Sequence, residues 1–188
     1  MGYHQAGFTE IVGVDINPQP NYPFEFIQAD VFEHLYETLD MDFDLIHASP
    51  PCQRYAAVTR WRGKAEDHPD LVGPTRSILQ DIGIPYVIEN VREAELPDPL
   101  ILCGSQFGLK VRRHRHFESD WMPPALLPSH SHVGLLPFEH KQERAYADAM
   151  GCEWMTTKEG REAIPPAYTK YIGGQFMAQQ GGHDAPTT

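Results

Sequence analysis

Between residues 10 and 90 the chain alternates short apolar runs with helix-patterned stretches, and each apolar run closes on a polar or reactive residue. Glu10–Ile16 reads as a strand stopped by Asn17-Pro18, and residues 25–30 as a second. Asp30 is placed to cap a helix over 31–39, with a third strand over 42–48. Residues 49–69 are polar and basic. A helix follows over 70–83, carried by Leu71, Ile78, Leu79 and Ile82, with Gly73-Pro74 blurring its start. Residues 84–90 are the fourth strand. This alternation predicts a doubly wound α/β fold with right-handed crossovers. It also lines up four strand ends on one rim: Asp15, Asp30, Cys52 and Glu89-Asn90. Open α/β sheets bind their ligands at that rim.

The second half changes character. Leu100 to Phe117 reads as hairpin-like strands around Gly104 and Gly108, and residues 120–138 have no strong period. Glu139 to Met150 is patterned as a helix, and another begins at Ile164-Pro165-Pro166. The division expected is a core over 1–117, a small irregular region over 118–163, a helix returning to the core over 164–180, and a disordered tail over 181–188.

A chain of 188 residues with 41% hydrophobic content suits a globular domain. No apolar run approaches the ~20 residues of a membrane helix. The amino terminus lacks the pattern of a secretory signal, and Ala6 stands where a myristoylation signal wants Ser or Thr. Three scattered cysteines argue against a disulfide scaffold and CxxC zinc binding. The expectation is a soluble protein of a reducing cytoplasm, without a membrane partner. His114-x-His116 and His130-x-His132 lack the thiolates or second carboxylate of a zinc site, so no metal is expected. The net charge of -11 argues against a polyanion partner, but eight of the 15 basic residues fall in two segments. Arg54, Arg60, Arg62 and Lys64 form one; Lys110, Arg112, Arg113 and Arg115 form the other. They are two solvated loops or the two sides of a basic cleft.

Ser49-Pro50-Pro51-Cys52-Gln53 is the most distinctive local feature. Pro51 fixes its own backbone and restricts Pro50, so the thiol is mounted on a stiff loop. A nucleophile needs such mounting; a packing cysteine does not. With Glu89-Asn90-Val91 at the end of the next strand and Arg113-x-Arg115 beyond it, the chain resembles the DNA (cytosine-5) methyltransferases. Pro50-Pro51-Cys52-Gln53 is similar to the nucleophile motif of that family and Glu89-Asn90-Val91 to its acid motif. Val111 to Arg115 is similar to its Gln-x-Arg-x-Arg motif, with Val111 replacing the glutamine.

The resemblance implies a Rossmann-like sheet and methyl transfer from S-adenosylmethionine to carbon 5 of a flipped-out cytosine in DNA. It makes Cys52 the nucleophile, Glu89 the acid at ring N3, Arg115 the holder of the base carbonyl and Arg113 the contact to a flanking phosphate. Asp15 and Ile16 would hold the ribose side of the cofactor, Asp30 and Val31 the adenine side, with Pro50 beside them. Gln53, Arg54, Asn90 and Val91 would face the substrate, and the basic 54–64 loop would close over it. Arg54 and Arg115 are the candidate cations for the Cys52 thiolate.

The departures from the family carry expectations of their own. Gly173-Gly174-Gln175 stands where Gly-Asn-Ser is usual. The recognition region is short, which suggests a phage or restriction-modification setting. The family's first strand and its Phe-x-Gly-x-Gly loop are not present; that strand would lie between those ending at Asp15 and Cys52. A misplaced start, a trimmed segment or a natural remnant would each explain this. If the chain is complete, weak cofactor binding and low stability are expected. Three other readings stay open: a non-catalytic relative that binds DNA or a protein partner, an amino-methyltransferase suited by Ser49-Pro50-Pro51, and an unrelated cysteine hydrolase.

Overall fold

The structure is a computed structural model. It describes residues 1–37, 43–56, 59, 64–123, 127–131, 134 and 143–181, with the side chains of 35–37, 65, 143 and 161 excepted. The expected start of a helix at Glu139, the tail from residue 182, Arg60, Trp61, Arg62 and His132 lie outside the described residues.

The chain forms two compact units that interleave along the sequence. One comprises Met1–Glu33, Cys103–Arg113 and Leu126–Thr188; the other comprises His34–Leu102 and His114–Ala125. The architecture is mixed α/β, with a two-stranded parallel sheet in the first unit and a four-stranded mixed sheet in the second.

In the first unit, β1 (Val12–Asp15) pairs in parallel with β2 (Glu25–Gln28), register Val12↔Glu25 to Asp15↔Gln28. A Cβ at Gly13 would lie 2.6 Å from the exposed Tyr22 ring, so a larger residue there would have to push that ring aside. The helix α1 (Gly2–Ala6) packs against the long helix α6 (Pro166–Gly181). Phe8 joins them, stacked 5.9 Å from Phe176 and edge-on to Tyr3. Tyr168, Ile172 and Phe176, four residues apart, form the buried stripe of α6. Helices α4 (Glu143–Ala149) and α5 (Thr157–Glu162) complete this unit, and Val111, Tyr146, Met150 and Cys152 form a core cluster there. A capping box starts α5: Thr156 accepts from the Glu159 backbone N–H, and the Glu159 side chain accepts from that of Thr156.

The helix α2 (Val31–Glu37) begins in one unit and ends in the other. In the second unit the strand order is β3-β4-β6-β5: β3 (Ile46–Ala48), β4 (Tyr86–Asn90), β6 (Arg115–Glu118) and β5 (Leu100–Leu102). β3 and β4 run parallel, as expected of a crossover; β6 is antiparallel to both β4 and β5. All five residues of β4 are buried. The helix α3 (Val72–Ile82) makes the crossover and packs Val72 and Leu79 against Tyr86 and Ile88. Burying a leucine such as Leu79 fully contributes about 2 kcal/mol. Gly83, at φ 75°, ends α3 in the left-handed conformation that glycine adopts without strain. Arg76 on α3 grips Glu118 on β6 with two bonds, 2.5 and 2.6 Å, and Trp121 donates from Nε1 to the Tyr86 carbonyl.

The expected helices and strands are present where described, most with shorter ends, though β6 runs on to Glu118 and α6 to Gly181; the 3₁₀ turn Gly104–Phe107 and α5 were not expected. β3 begins at Ile46 rather than residue 42. Among the described residues β1 pairs only with β2, and β3 only with β4.

Candidate functional site

In the second unit, parallel pairing of β3 with β4 sets their carboxyl ends side by side, Ala48 opposite Ile88. The chain past β3 carries Pro50 and Cys52; β4 ends in Glu89 and Asn90. Asn90 is buried, 1% exposed, and spends both ends of its carboxamide locally. Its Nδ2 donates to the Pro50 carbonyl at 3.0 Å, and its Oδ1 accepts from the Val91 backbone N–H at 2.8 Å. Asn90, expected to face the substrate, thus ties the two strand ends together through its side chain.

Cys52 is half-buried and opens a tight turn, its carbonyl accepting from the backbone N–H of Tyr55 and Ala56. Two side chains fix the far side of that turn. Arg54 donates from Nη1 to the His68 carbonyl at 3.0 Å. Tyr55 donates to Asp70, which also accepts from the Val72 backbone N–H at the start of α3. Burial first, then the Asp70 carboxylate, pushes the Tyr55 phenol up to about 12, so it remains a donor at neutral pH. Gln53 is exposed in the turn, and Val91 opens a short 3₁₀ turn after β4.

Glu89 and Arg115 meet across the β4–β6 pair. Arg115 Nε lies 2.7 Å from Glu89 Oε1, both side chains being largely buried, at 15% and 9% exposure. The contact is an ion pair rather than an aligned hydrogen bond. Arg115 also donates from Nη1 to the His114 carbonyl. Residues 89, 115 and 117 share one sheet face by register and alternation. His47 on β3 sets its ring against Phe117, centroids 6.3 Å apart, and its Nε2 lies 3.3 Å from Ser49 Oγ. His47 keeps a little exposed surface yet is densely surrounded, and burial pushes its imidazole down to about 4. Nothing in the sequence marks His47, because a histidine within a strand carries no spacing signal.

In the first unit, the ends of β1 and β2 carry the other expected residues. Asp15 Oδ1 accepts from the Asn17 backbone N–H at 2.8 Å and more distantly from Asn17 Nδ2, 3.4 Å; its Oδ2 accepts from Gln19 Nε2 at 3.3 Å. Asp30 accepts from the Phe32 backbone N–H at 2.9 Å, as the cap expected at the start of α2. The residue after each carboxylate is apolar and exposed: Ile16 at 63% and Val31 at 40%.

Arg113 belongs to this unit and is 5% exposed. It donates to the Tyr146 hydroxyl at 3.2 Å and to the Glu162 carbonyl at 2.7 Å, while its own carbonyl accepts from the Tyr168 hydroxyl. Its guanidinium thus braces α4 and α5, in place of the free phosphate contact expected of it. Arg112 donates to the Gly134 carbonyl, and Lys64 and Lys110 are exposed. Cys103 and Cys152 are buried, and burial pushes the Cys152 thiol up to about 11, against the opposing field of Arg113. No helix among the described residues is long and apolar enough to cross a membrane. Among them, no three His, Cys, Asp or Glu side chains gather as a metal site would require.

Comparison of the chain with models of known protein families gave no match, and comparison with curated proteins gave none either.

Proposed function

We propose that the chain is a DNA (cytosine-5) methyltransferase of Rossmann-like build that acts in the cytoplasm with S-adenosylmethionine. One observation carries the reading. Residues 50–52, 89–90 and 115, far apart in sequence, are drawn into one unit, through the Asn90–Pro50 bond and the Glu89–Arg115 pair. The parallel β1–β2 and β3–β4 pairs, each ending in functional residue types, support the Rossmann-like part of the reading.

The cytosine would enter DNA-flipped, because carbon 5 is shielded within a duplex. The Cys52 thiolate adds to carbon 6, forming a C–S bond and moving the ring electron pair toward carbon 5. Glu89, released from Arg115 as the base enters, takes up a proton from solvent and passes it to N3, so the ring does not carry the added charge. Arg115 holds the base carbonyl. Carbon 5 would then take the methyl group, the sulfonium leaving as a neutral thioether; a water molecule would take the carbon 5 proton as the Cys52 thiolate is expelled, and N3 would return its proton to Glu89. The paired state of Glu89 and Arg115 means that the base replaces their mutual contact with its own N3 and carbonyl.

The residue types at the ends of β1 and β2 suit such a cofactor. Asp15 and Asp30 offer acceptors for hydroxyl and amino groups, and the exposed Ile16 and Val31 offer apolar surface for a base. S-adenosylmethionine supplies an electrophilic methyl group on a sulfonium.

The test is transfer of labelled methyl groups to cytosine-containing DNA, with Cys52→Ala as control. Transfer by the wild type, its loss in Cys52→Ala, and a covalent adduct with 5-fluorocytosine DNA are expected. DNA binding without transfer or adduct would instead identify a non-catalytic relative.

A further inference from the structure

We propose that Gln19 determines specificity at the end of β1, reading a vicinal diol together with Asp15. The inference rests on the cofactor reading, which already places the ribose side of an adenine nucleoside at Asp15 and Ile16; what it adds is the part of Gln19.

The two oxygens of Asp15 are unequally satisfied. Oδ1 takes two contacts from Asn17, of which the backbone one is short at 2.8 Å. Oδ2 takes only the long 3.3 Å contact from Gln19 Nε2. A carboxylate oxygen can accept more than one hydrogen bond, so Oδ2 retains acceptor capacity. The carboxamide beside it supplies one donor group and one acceptor. A vicinal diol presents two hydroxyls that match this set: one donates to Oδ2, and the other exchanges a hydrogen bond with the carboxamide. Neither group alone reads both hydroxyls.

A second observation points to what the diol belongs to. Ile16, adjacent to Asp15, is 63% exposed, the most exposed large apolar side chain among the described residues. Its backbone is held in place, its carbonyl accepting from Gln28 Nε2 at 3.1 Å. The Asp15 carbonyl is held likewise by the Ala29 backbone N–H at 3.1 Å. An apolar side chain fixed beside a half-satisfied carboxylate and a carboxamide suits a flat base attached to a ribose. Gln19 itself is half-buried, sits on the loop between β1 and β2, and packs into no core cluster described above. Its replacement should leave the fold intact.

The experiment measures S-adenosylhomocysteine and its 2′-deoxy analogue by calorimetry, against wild type, Gln19→Ala, Gln19→Glu and Ile16→Ala. The wild type should bind the ribose form at least about tenfold more tightly than the deoxy form, as expected of a site built to hydrogen-bond a hydroxyl. Gln19→Ala should weaken the ribose form about fivefold and bring the two ligands to within about twofold of each other, the scale of one neutral hydrogen bond. Gln19→Glu, which keeps the length but sets a second negative charge beside Asp15, should collapse the same ratio. Ile16→Ala should weaken both ligands alike and preserve the ratio. An unchanged ratio in both Gln19 variants, or no nucleoside binding by the wild type, overturns the proposal. Methyl transfer is assayed on the same preparations. Binding with a Gln19-dependent ratio but no transfer defeats the methyltransferase reading alone; transfer with an unmoved ratio defeats the Gln19 proposal alone.

Discussion

Acidification should destabilise the fold through His47 in particular. Its imidazole is pushed from an ordinary 6.5 down to about 4 by burial on β3, against Phe117 and near Ser49. The sign follows from where the proton binds. Above 6.5 both folded and unfolded chains hold the ring neutral, and the shift costs nothing. Between 6.5 and about 4 the unfolded chain takes up a proton that the folded chain refuses, so stability falls as pH falls. Each pH unit within that window costs about 1.4 kcal/mol, so going from about pH 7.5 to about pH 5 should remove about 2 kcal/mol. That is a large share of the 5–15 kcal/mol typical of a domain. The assay is urea unfolding at a series of pH values, followed by tryptophan fluorescence. Trp121 reports on this unit through its bond to the Tyr86 carbonyl. His47→Phe keeps an aromatic ring against Phe117 and removes the titration, so the difference between wild type and variant isolates one residue. His116 is also pushed down, by burial and then by Arg92, but it is present in both proteins. Wild type and His47→Phe losing stability in parallel as the pH falls would refute the reasoning.

Three further outcomes follow from single contacts. Leu79→Ala, at a fully buried position of α3, should cost about 3 kcal/mol in the urea midpoint analysis, since it leaves a cavity against Tyr86 and Ile88. Glu118→Gln should cost about 2 kcal/mol, because the two short bonds from Arg76 lose their ionic partner; this part of the loss should persist in high salt. Asn90→Ala should leave the Pro50 carbonyl and the Val91 N–H without their present partner. It should cost about 1–3 kcal/mol and raise the rate at which iodoacetamide alkylates Cys52, read by peptide mapping.

The readable features were those whose physics is local. A run of apolar residues closed by Asp, Cys or Asn is a strand end whatever surrounds it, so β1 to β4 and the residues at their tips could be placed from the chain alone. The capping box of Thr156 and Glu159 was equally local, and α5 could have been found from it. What depends on long-range burial left no such trace. Arg113 and Arg115 are two residues apart and chemically identical, yet Arg113 braces Tyr146 and the Glu162 carbonyl while Arg115 pairs with Glu89. Only the packing around each decides that. Gln19 was silent for the same reason: a glutamine in a Pro-rich loop has no signature until the loop returns it to Asp15. Asn90 was legible as a functional residue type, but its buried carboxamide turned out to face the chain itself.

The Glu89–Arg115 pair joins stability to the proposed chemistry, and a double-mutant cycle can separate them. Taking two charges out of water is costly, and their attraction roughly repays it; removing one partner leaves the other buried and uncompensated. With exposures of 9% and 15%, water can compensate little for either. Arg115→Leu should therefore destabilise by about 3 kcal/mol, and Glu89→Leu by a comparable amount. The double variant should lose only about 2 kcal/mol, less than either single variant, since an apolar pair can replace a buried ion pair at little cost; the coupling is then about 4 kcal/mol. Function should behave in the opposite way. If Glu89 protonates the base and Arg115 holds its carbonyl, the double variant regains stability and no methyl transfer at all. Strict additivity in urea unfolding would show that the 2.7 Å contact carries no energy. Restored transfer in the stable double variant would show that neither residue touches the base.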